Sequence, residues 1–130
     1  MDAPRELSLT ELVDAYCDVW CEPDPEARRQ KLSLVWSPSA TYTDPTVHTT
    51  GSNELLAHIA KVLARRPGAK VVRTSAIDEH HGCIRFAWHV VQNDGTALPE
   101  GIDFMDVASD GKIQRIIGFF GPLQRTTSSQ

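Results

Sequence analysis

Apolar residues recur with a helical period in the first half of this chain and alternate with polar residues in the second half. Ser8 and Glu11 have the spacing of a capping box, which predicts that a helix starts there. Its apolar face continues through Leu9, Val13, Tyr16 and Trp20. A second helix is predicted from Asp24 as N-cap, with Pro25 in its first turn, and it stops before Pro38. Three of its side chains are expected to point inward: Leu32, Val35 and Trp36.

A short β-prone segment, residues 40–45, follows the second helix and ends at Pro45. A loop through His48 and Gly51 then leads to a third helix, predicted from Ser52 as N-cap to Arg66. The buried stripe of this helix consists of Leu55, Leu56, Ile59, Val62 and Leu63. Three helices and one short strand therefore occupy the first half of the chain.

From Lys70 onward the pattern changes to strands, separated by turns that contain glycine. The predicted strands are residues 71–79, 83–92, 97–108 and 112–120. Helices followed by an antiparallel meander predict an α+β fold, with three N-terminal helices packed on one face of a curved antiparallel sheet. We expect a single domain over residues 1–130, with a core at residues 8–122 and a polar tail at residues 124–130.

The second long strand predicts which face of the sheet is buried. One face is apolar and should point toward the helices; it carries Ile84, Phe86, Trp88 and Val90. The opposite, convex face carries Arg85, Ala87, His89 and Val91. This mixture of polar and apolar residues is typical of an interface, so we expect a homodimer through the convex sheet face.

The strand at residues 101–107 holds a carboxylate in an unusual setting. Gly101, Asp103, Met105 and Val107 share one face. A carboxylate among small and apolar neighbours is costly to bury unless it is neutral or hydrogen-bonded. Asp103 therefore faces solvent, forms a structural ion pair with Arg73 or Lys70, or has a chemical role.

Composition and charge exclude several function classes. The net charge of −4 and the scattered basic residues disfavour nucleic-acid binding. No stretch is apolar enough for a membrane span and no signal core is visible, so a cytoplasmic location is expected. The three cysteines are expected to be free thiols. Cys17 and Cys21 are one helical turn apart, but without two further ligands we predict no metal site.

Two motifs resemble the nuclear transport factor 2-like superfamily, which includes SnoaL-like polyketide cyclases and ketosteroid isomerases. The segment Ala40–Pro45, followed by Gly51 and a helix, resembles the part of ketosteroid isomerases that holds the general base. The segment Ile102–Met105, followed by residues 111–114, resembles the strand that holds their protonated oxyanion-hole aspartate. The resemblance runs from about Leu9 to Pro122 and implies a cone-shaped, cystatin-like α+β barrel.

The resemblance also implies roles for individual residues. Asp44 would be the general base, Asp103 a neutral hydrogen-bond donor, and Tyr16 the second donor, unless Trp20 occupies its place. The implied activity is a cofactor-independent isomerisation or cyclisation that enolises a small hydrophobic carbonyl compound. The implied pocket consists of Trp20, Trp36, Tyr42, Phe86, Trp88, Met105, Gly118 and Phe120.

Other interpretations stay open at this point. Asp44 before Pro45 could be a turn aspartate, Tyr16 a core tyrosine, and the domain a non-catalytic small-molecule-binding or dimerisation module. A dehydratase-type lyase would use His48, His58 or His89 with a carboxylate. An epoxide hydrolase of the limonene type is excluded, because residues 84–91 contain no carboxylate and Gly118 stands where an acid is needed.

Overall fold

The computed structural model describes residues 7–126 and shows three helices followed by a sheet. The helices are α1 (Leu9–Val19), α2 (Pro25–Val35) and α3 (Gly51–Arg65). Ser8 and Glu11 form the predicted capping box, and Asp24 caps α2 by accepting a hydrogen bond from the Ala27 N–H at 2.8 Å. The N-cap of α3 is Thr50 rather than Ser52. The sequence therefore predicted two of the three N-cap residues correctly.

Seven strands are visible in the described part of the chain and form one sheet. They are β1 (Trp36–Asp44), β2 (Val47–Thr50), β3 (Lys70–Arg73), β4 (Asp78–His80), β5 (Cys83–Val91), β6 (Gly101–Val107) and β7 (Ile113–Phe120). Their order is β2-β1-β7-β6-β5-β3, with β4 paired to β5. The α+β prediction is confirmed. The sheet is mixed rather than purely antiparallel, because β1 runs parallel to β7.

Several strand boundaries differ from the prediction for identifiable reasons. The strand predicted at residues 71–79 is interrupted, because the Ala87 N–H donates to the Ser75 hydroxyl at 2.8 Å instead of to a backbone carbonyl. Trp36 begins β1 rather than ending α2. Pro38 is tolerated inside β1 because it lies in the register shift between Trp36 and Thr41. The segment after Pro45, predicted as a loop, forms β2.

The core lies between the helices and the concave face of the sheet. Its fully enclosed members come from the three helices, β1 and β7: Val13, Val19, Leu32, Ala40, Leu55, Ile59, Ile113 and Ile116. The inner ends of β5 and β6 join them through Ile84, Phe86 and Met105. The helices cover only this part of the concave face, which leaves room for a cavity beyond it.

The convex face carries apolar side chains that no other element within residues 7–126 covers. Ile102, Phe104 and Phe119 are exposed there, and the Phe104 and Phe119 rings meet edge to face with centroids 6.1 Å apart. Separately, none of the helices within residues 7–126 has the length and apolarity needed to cross a bilayer.

Helix α2 offers a matched test of which side chains hold the fold together. Leu32 is 0% exposed, whereas Leu34 on the same helix is 72% exposed. Leu32→Ala should lower the free energy of unfolding by about 2–5 kcal/mol, because it removes buried apolar area and leaves a cavity. Leu34→Ala should change it by less than about 0.5 kcal/mol. Urea denaturation followed by circular dichroism measures both; equal effects would contradict the packing of α2.

Candidate functional site

A cavity of about 710 Å³ opens between α1, α3 and the outer half of the concave sheet face. Its walls contain all three residues predicted to be catalytic, Tyr16, Asp44 and Asp103. Four of the predicted pocket residues also line it: Trp20, Tyr42, Trp88 and Phe120. The structure thus brings together side chains from α1, β1, β5, β6 and β7.

Three predicted pocket residues belong to the core instead. Trp36, Phe86 and Met105 are almost completely buried and do not line the cavity. The predicted face of β5 and β6 is right, but only its outer half reaches the cavity. Phe86 and Met105 lie on the inner half, under the helices, and Trp36 stacks against Tyr16 with ring centroids 6.1 Å apart.

Asp103 is the most deeply buried carboxylate of the site. It is 5% exposed, and its Oδ1 accepts a hydrogen bond of 2.9 Å from the Trp88 indole N–H. No ion pair to Asp103 occurs among residues 7–126, and Arg73 pairs with Asp14 instead. Burial, and secondarily the charge of Asp44, raise the pKa of Asp103 to about 7, although the Trp88 hydrogen bond acts in the opposite direction. Asp103 therefore exchanges between its neutral and ionised forms near neutral pH.

Two glycines make room for this hydrogen bond. A Cβ atom on Gly101 would lie 2.6 Å from Cζ2 of Trp88, its cross-strand partner. A Cβ atom on Gly118 would lie 2.7 Å from Oδ1 of Asp103 and 3.7 Å from Cβ of Asp44. Gly118, predicted as a pocket residue, does not line the cavity but separates the two carboxylates. Both glycines are needed for close approach of side chains from neighbouring strands.

Asp44 is the last residue of β1, and its two carboxylate oxygens have different surroundings. Oδ1 accepts hydrogen bonds from the Thr46 N–H at 2.7 Å and the Thr46 hydroxyl at 2.6 Å. Oδ2 accepts a hydrogen bond from the Tyr42 hydroxyl at 2.7 Å and lies 3.7 Å from Nε2 of His58. One oxygen thus holds the turn before β2, as the turn interpretation requires, and the other belongs to the polar cluster of the cavity.

The sequence left open whether Tyr16 or Trp20 faces the cavity. In the structure both side chains line it. Burial, reinforced by the negative charge of Asp103, raises the pKa of Tyr16 well above its usual value, while a side-chain hydrogen bond from Trp20 opposes the shift. Tyr16 therefore keeps its hydroxyl proton at neutral pH and can donate a hydrogen bond to a ligand.

His58 on α3 is a cavity residue that sequence reasoning treated only as a distant alternative. Its ring meets those of Trp20 and Tyr42, with centroids 5.9 and 6.0 Å away. Burial lowers its pKa below the usual 6.5, although Asp44 acts in the opposite direction, so the imidazole is neutral at pH 7. Its spacing from Leu55 and Val62 in the apolar stripe of α3 was the signal that could have identified it.

The open end of the cavity was not predicted. It is formed by the turn after Asp44, the end of α3 and the segment before β6. Its residues include Thr46, Arg65, Arg66, Leu98 and Pro99. These residues are far apart in the sequence, and only the fold places them around one opening. Within residues 7–126, no group of three or more His, Cys, Asp or Glu side chains is placed to hold a metal ion.

Three helices on a curved mixed sheet, with a cavity at the open end of the cone, define the nuclear transport factor 2-like class of α+β folds. The family model of the SnoaL-like domain matches residues 13–116. Because this match spans most of the chain, the protein belongs to the SnoaL-like family. A search of curated proteins finds no match.

Solved structures similar to this chain include one protein of the same family. A provisionally named isomerase of the SnoaL-like family from Agrobacterium tumefaciens str. C58 is 27% identical, with a TM-score of 0.81 over 85% of this chain and 95% of its own. A protein from Catenulispora acidiphila DSM 44928 with a ketosteroid isomerase-like fold, solved with trimethylamine, is 14% identical, with a TM-score of 0.69 over 88% of each chain. A provisionally named polyketide cyclase from Sinorhizobium meliloti is 15% identical, with a TM-score of 0.65 over 82% of this chain and 92% of its own. The last two share the fold.

The electrostatic coupling within the site can be measured by NMR titration of the carboxyl carbons. Asp103 should titrate with a midpoint near pH 7. Asp44→Asn should lower this midpoint because it removes a neighbouring negative charge, and Trp88→Phe should raise it because it removes a donor to the carboxylate. Asp106→Asn, on the opposite face of β6, is the control and should leave it unchanged. A midpoint below pH 5 in the wild type would contradict the buried position of Asp103.

Proposed function

We propose that this SnoaL-like protein is a cofactor-independent acid–base enzyme that enolises a small hydrophobic carbonyl compound, as an isomerase or cyclase. The observation that carries the proposal is the convergence of Asp44, Asp103 and Tyr16 on one cavity, with a pKa near 7 for Asp103. A carboxylate base and two neutral hydrogen-bond donors are the groups that proton transfer at carbon requires.

In the proposed reaction, Asp44 is the general base and uses Oδ2. This oxygen removes a proton from the carbon next to the substrate carbonyl, and the electron pair moves onto the carbonyl oxygen. The resulting enolate is stabilised by hydrogen bonds from the Tyr16 hydroxyl and from protonated Asp103. In an isomerase, Asp44 then returns the proton to another carbon of the conjugated enolate. In a cyclase, the enolate carbon attacks a second carbonyl of the same molecule, and the oxygen of that carbonyl takes up the proton from Asp44. Only protein side chains take part.

The surroundings of the three groups favour these roles. Trp88 donates to Oδ1 of Asp103, and Oδ2 has no hydrogen-bond partner among residues 7–126, so a proton on Oδ2 is free to be donated. Ketosteroid isomerases divide the work in the same way between an ionised aspartate and a protonated one. His58 is neutral at pH 7, so it does not cancel the negative charge of Asp44 with an ion pair.

The walls of the cavity favour a flat, apolar ligand. Aromatic rings from α1, β1, β5 and β7 surround the polar groups, and the Trp88 and Phe120 rings meet edge to face with centroids 5.9 Å apart. Such walls hold a ligand by burial of apolar surface while a few polar groups set its orientation. The provisional isomerase and cyclase names of two similar proteins are in keeping with this chemistry.

Two other functions have an observation in their favour. Asp44 already accepts three hydrogen bonds, which suits a binding module without catalysis, and a similar fold has been solved with trimethylamine. His58 lies 3.7 Å from Asp44, which suits a dehydratase-type lyase with a histidine and a carboxylate. Enolisation uses both buried carboxylates and Tyr16, whereas neither alternative explains why Asp103 is kept unpaired.

Exchange of carbon-bound hydrogen in D₂O tests the proposal without knowledge of the natural substrate. With 1-tetralone and 1-indanone as probe ketones, the wild type should speed up deuterium incorporation next to the carbonyl. Asp44→Asn should reduce this acceleration by about 100-fold or more, because general bases contribute about 10²–10⁴-fold. Mass spectrometry measures the incorporation. Asp106→Asn is the control with unchanged rate. Binding of the ketones without faster exchange would instead favour the binding module.

The convex face supports a second proposal, a homodimer formed through this surface. Ile102 pairs with Ala87 on one side and Phe119 on the other, and Phe104 pairs with Arg85 and Ile117. Phe119 is 57% exposed although it is a large aromatic side chain. Neighbouring exposed apolar residues at the centre of a sheet are typical of an association surface, and a two-fold axis would let two copies cover each other.

A charge placed in this surface tests the dimer. Phe104→Glu should convert the dimer to a monomer, because it would bury an unpaired carboxylate in the interface. Leu34→Glu, on the exposed face of α2, should leave the dimer intact. Sedimentation velocity gives the mass of each variant. A wild type that stays monomeric at about 100 μM, well above the micromolar range of weak association, or a dimer that survives Phe104→Glu, would contradict the proposed interface.

A further inference from the structure

We propose that the ligand of this cavity carries a carboxylate at its outer end, which Arg65 and Arg66 bind at the cavity mouth. The inference rests on the proposed function, because it names the class of carbonyl compound for the same cavity: an apolar oxo acid rather than a neutral ketone. It is carried by the position of two arginines that have no anionic partner among residues 7–126.

Both arginines lie where α3 ends, and both line the cavity together with Asp44 and Asp103. Nη1 of Arg66 donates a hydrogen bond of 2.8 Å to Oε1 of Gln92, which directly follows β5. This bond joins the end of α3 to the residue that follows β5. It holds the Arg66 guanidinium there while its remaining N–H groups have no protein partner among residues 7–126.

The other arginines between residues 28 and 115 are engaged within the protein. Arg28 donates to the carbonyl oxygens of Glu22 and Pro23. The remaining ones pair with carboxylates: Arg29 with Glu26, Arg73 with Asp14, Arg85 with Asp78, and Arg115 with Asp106. Arg65 has neither a hydrogen bond nor an ion pair in the described part of the chain, and Arg66 contacts only an amide. Between residues 28 and 115, the arginines without a carboxylate or backbone carbonyl partner are therefore the two at the cavity mouth.

Favourable interaction with the C-terminal end of a helix accounts for a cation at this position in general. It does not account for two consecutive arginines, both of which line a cavity. If the arginines served only to stabilise the end of α3, their replacement would lower the stability of the helix. It would not change how strongly the protein prefers a charged ligand over a neutral one. The two roles can therefore be separated by comparing ligands that differ only in charge.

The polar groups that line the cavity differ in burial and charge. Asp103 and Tyr16 are buried, whereas the two guanidinium groups of Arg65 and Arg66 are exposed. A ligand with a carbonyl group at one end and an anion at the other matches this arrangement. Guanidinium binds both carboxylate and phosphate through paired hydrogen bonds, but a singly charged carboxylate is repelled less by Asp44 than a doubly charged phosphate, so we infer a carboxylate.

Isothermal titration calorimetry with two probes of nearly equal shape tests the inference. 2-Naphthaleneacetate carries the carboxylate, and 2-naphthaleneacetamide is its neutral counterpart. At about pH 7.5 and low salt, the wild type should bind the carboxylate about tenfold more tightly, as charge-assisted hydrogen bonds are worth more than neutral ones. The double variant Arg65→Gln/Arg66→Gln should lose this preference and keep its affinity for the amide. The double variant Arg65→Lys/Arg66→Lys should keep part of the preference for the carboxylate. Arg115→Gln, on the convex face, is the control and should keep all of this preference.

The possible outcomes separate this inference from the proposed function. If the amide binds as tightly as the carboxylate, the carboxylate inference is wrong while the apolar cavity of the proposed function stands. If the preference survives in the double glutamine variant, the arginines are not the binding groups and the inference is equally overturned. If neither probe binds, both the inference and the proposed ligand class fail. Thermal unfolding of each variant shows whether the fold is retained.

Discussion

The site depends on a carboxyl group that is buried in the sheet and accepts one hydrogen bond from residues 7–126. Asp103 points into the concave face between the core and the cavity, and its partner there is the Trp88 indole. Burial without a cation favours the neutral form, so the pKa of Asp103 rises to about 7. Gly101 and Gly118 allow this arrangement, because a methyl group at either position would meet the indole or the carboxylate. Two residues without side chains are thus as necessary to the site as those with them.

The second carboxylate is supported differently. Asp44 is anchored by Thr46 and Tyr42 at the end of β1, so its position is set by the turn into β2. The parallel pairing of β1 with β7 brings this strand end beside Gly118, and β6 holds Asp103 on the other side of the same glycine. Burial is the main cause of the raised pKa of Asp103, and the nearby charge of Asp44 adds to it, so the charge of one acid influences the protonation of the other. The two acids thus have different surroundings. Such a difference is required if one carboxyl group is to act as a base and the other as a hydrogen-bond donor.

Strand β6 links the two surfaces on which function is proposed. Its inward side chains include Asp103, and its outward side chains include Ile102 and Phe104. In a dimer formed through the convex face, the backbone of β6 would be covered on both sides, which would limit its motion around the buried carboxylate. The cavity mouth lies away from this face, at the ends of α3 and β5, so a ligand could enter without separating the two copies.

The sequence by itself determined the three helices and the α+β class, because capping residues and apolar periodicity are local signals, but it left open whether Asp103 faces solvent or the interior. It also indicated Asp44 and Tyr16, through motifs that resemble those of a known superfamily. The tertiary structure decided the parallel pairing of β1, the placement of Phe86 and Met105 in the core, and the arrival of His58 and Arg65 at the cavity. Periodicity reports which face of a strand is buried, but it does not report how far along the strand the helices extend. That distance is set by packing between segments far apart in the chain, and it separates core from cavity.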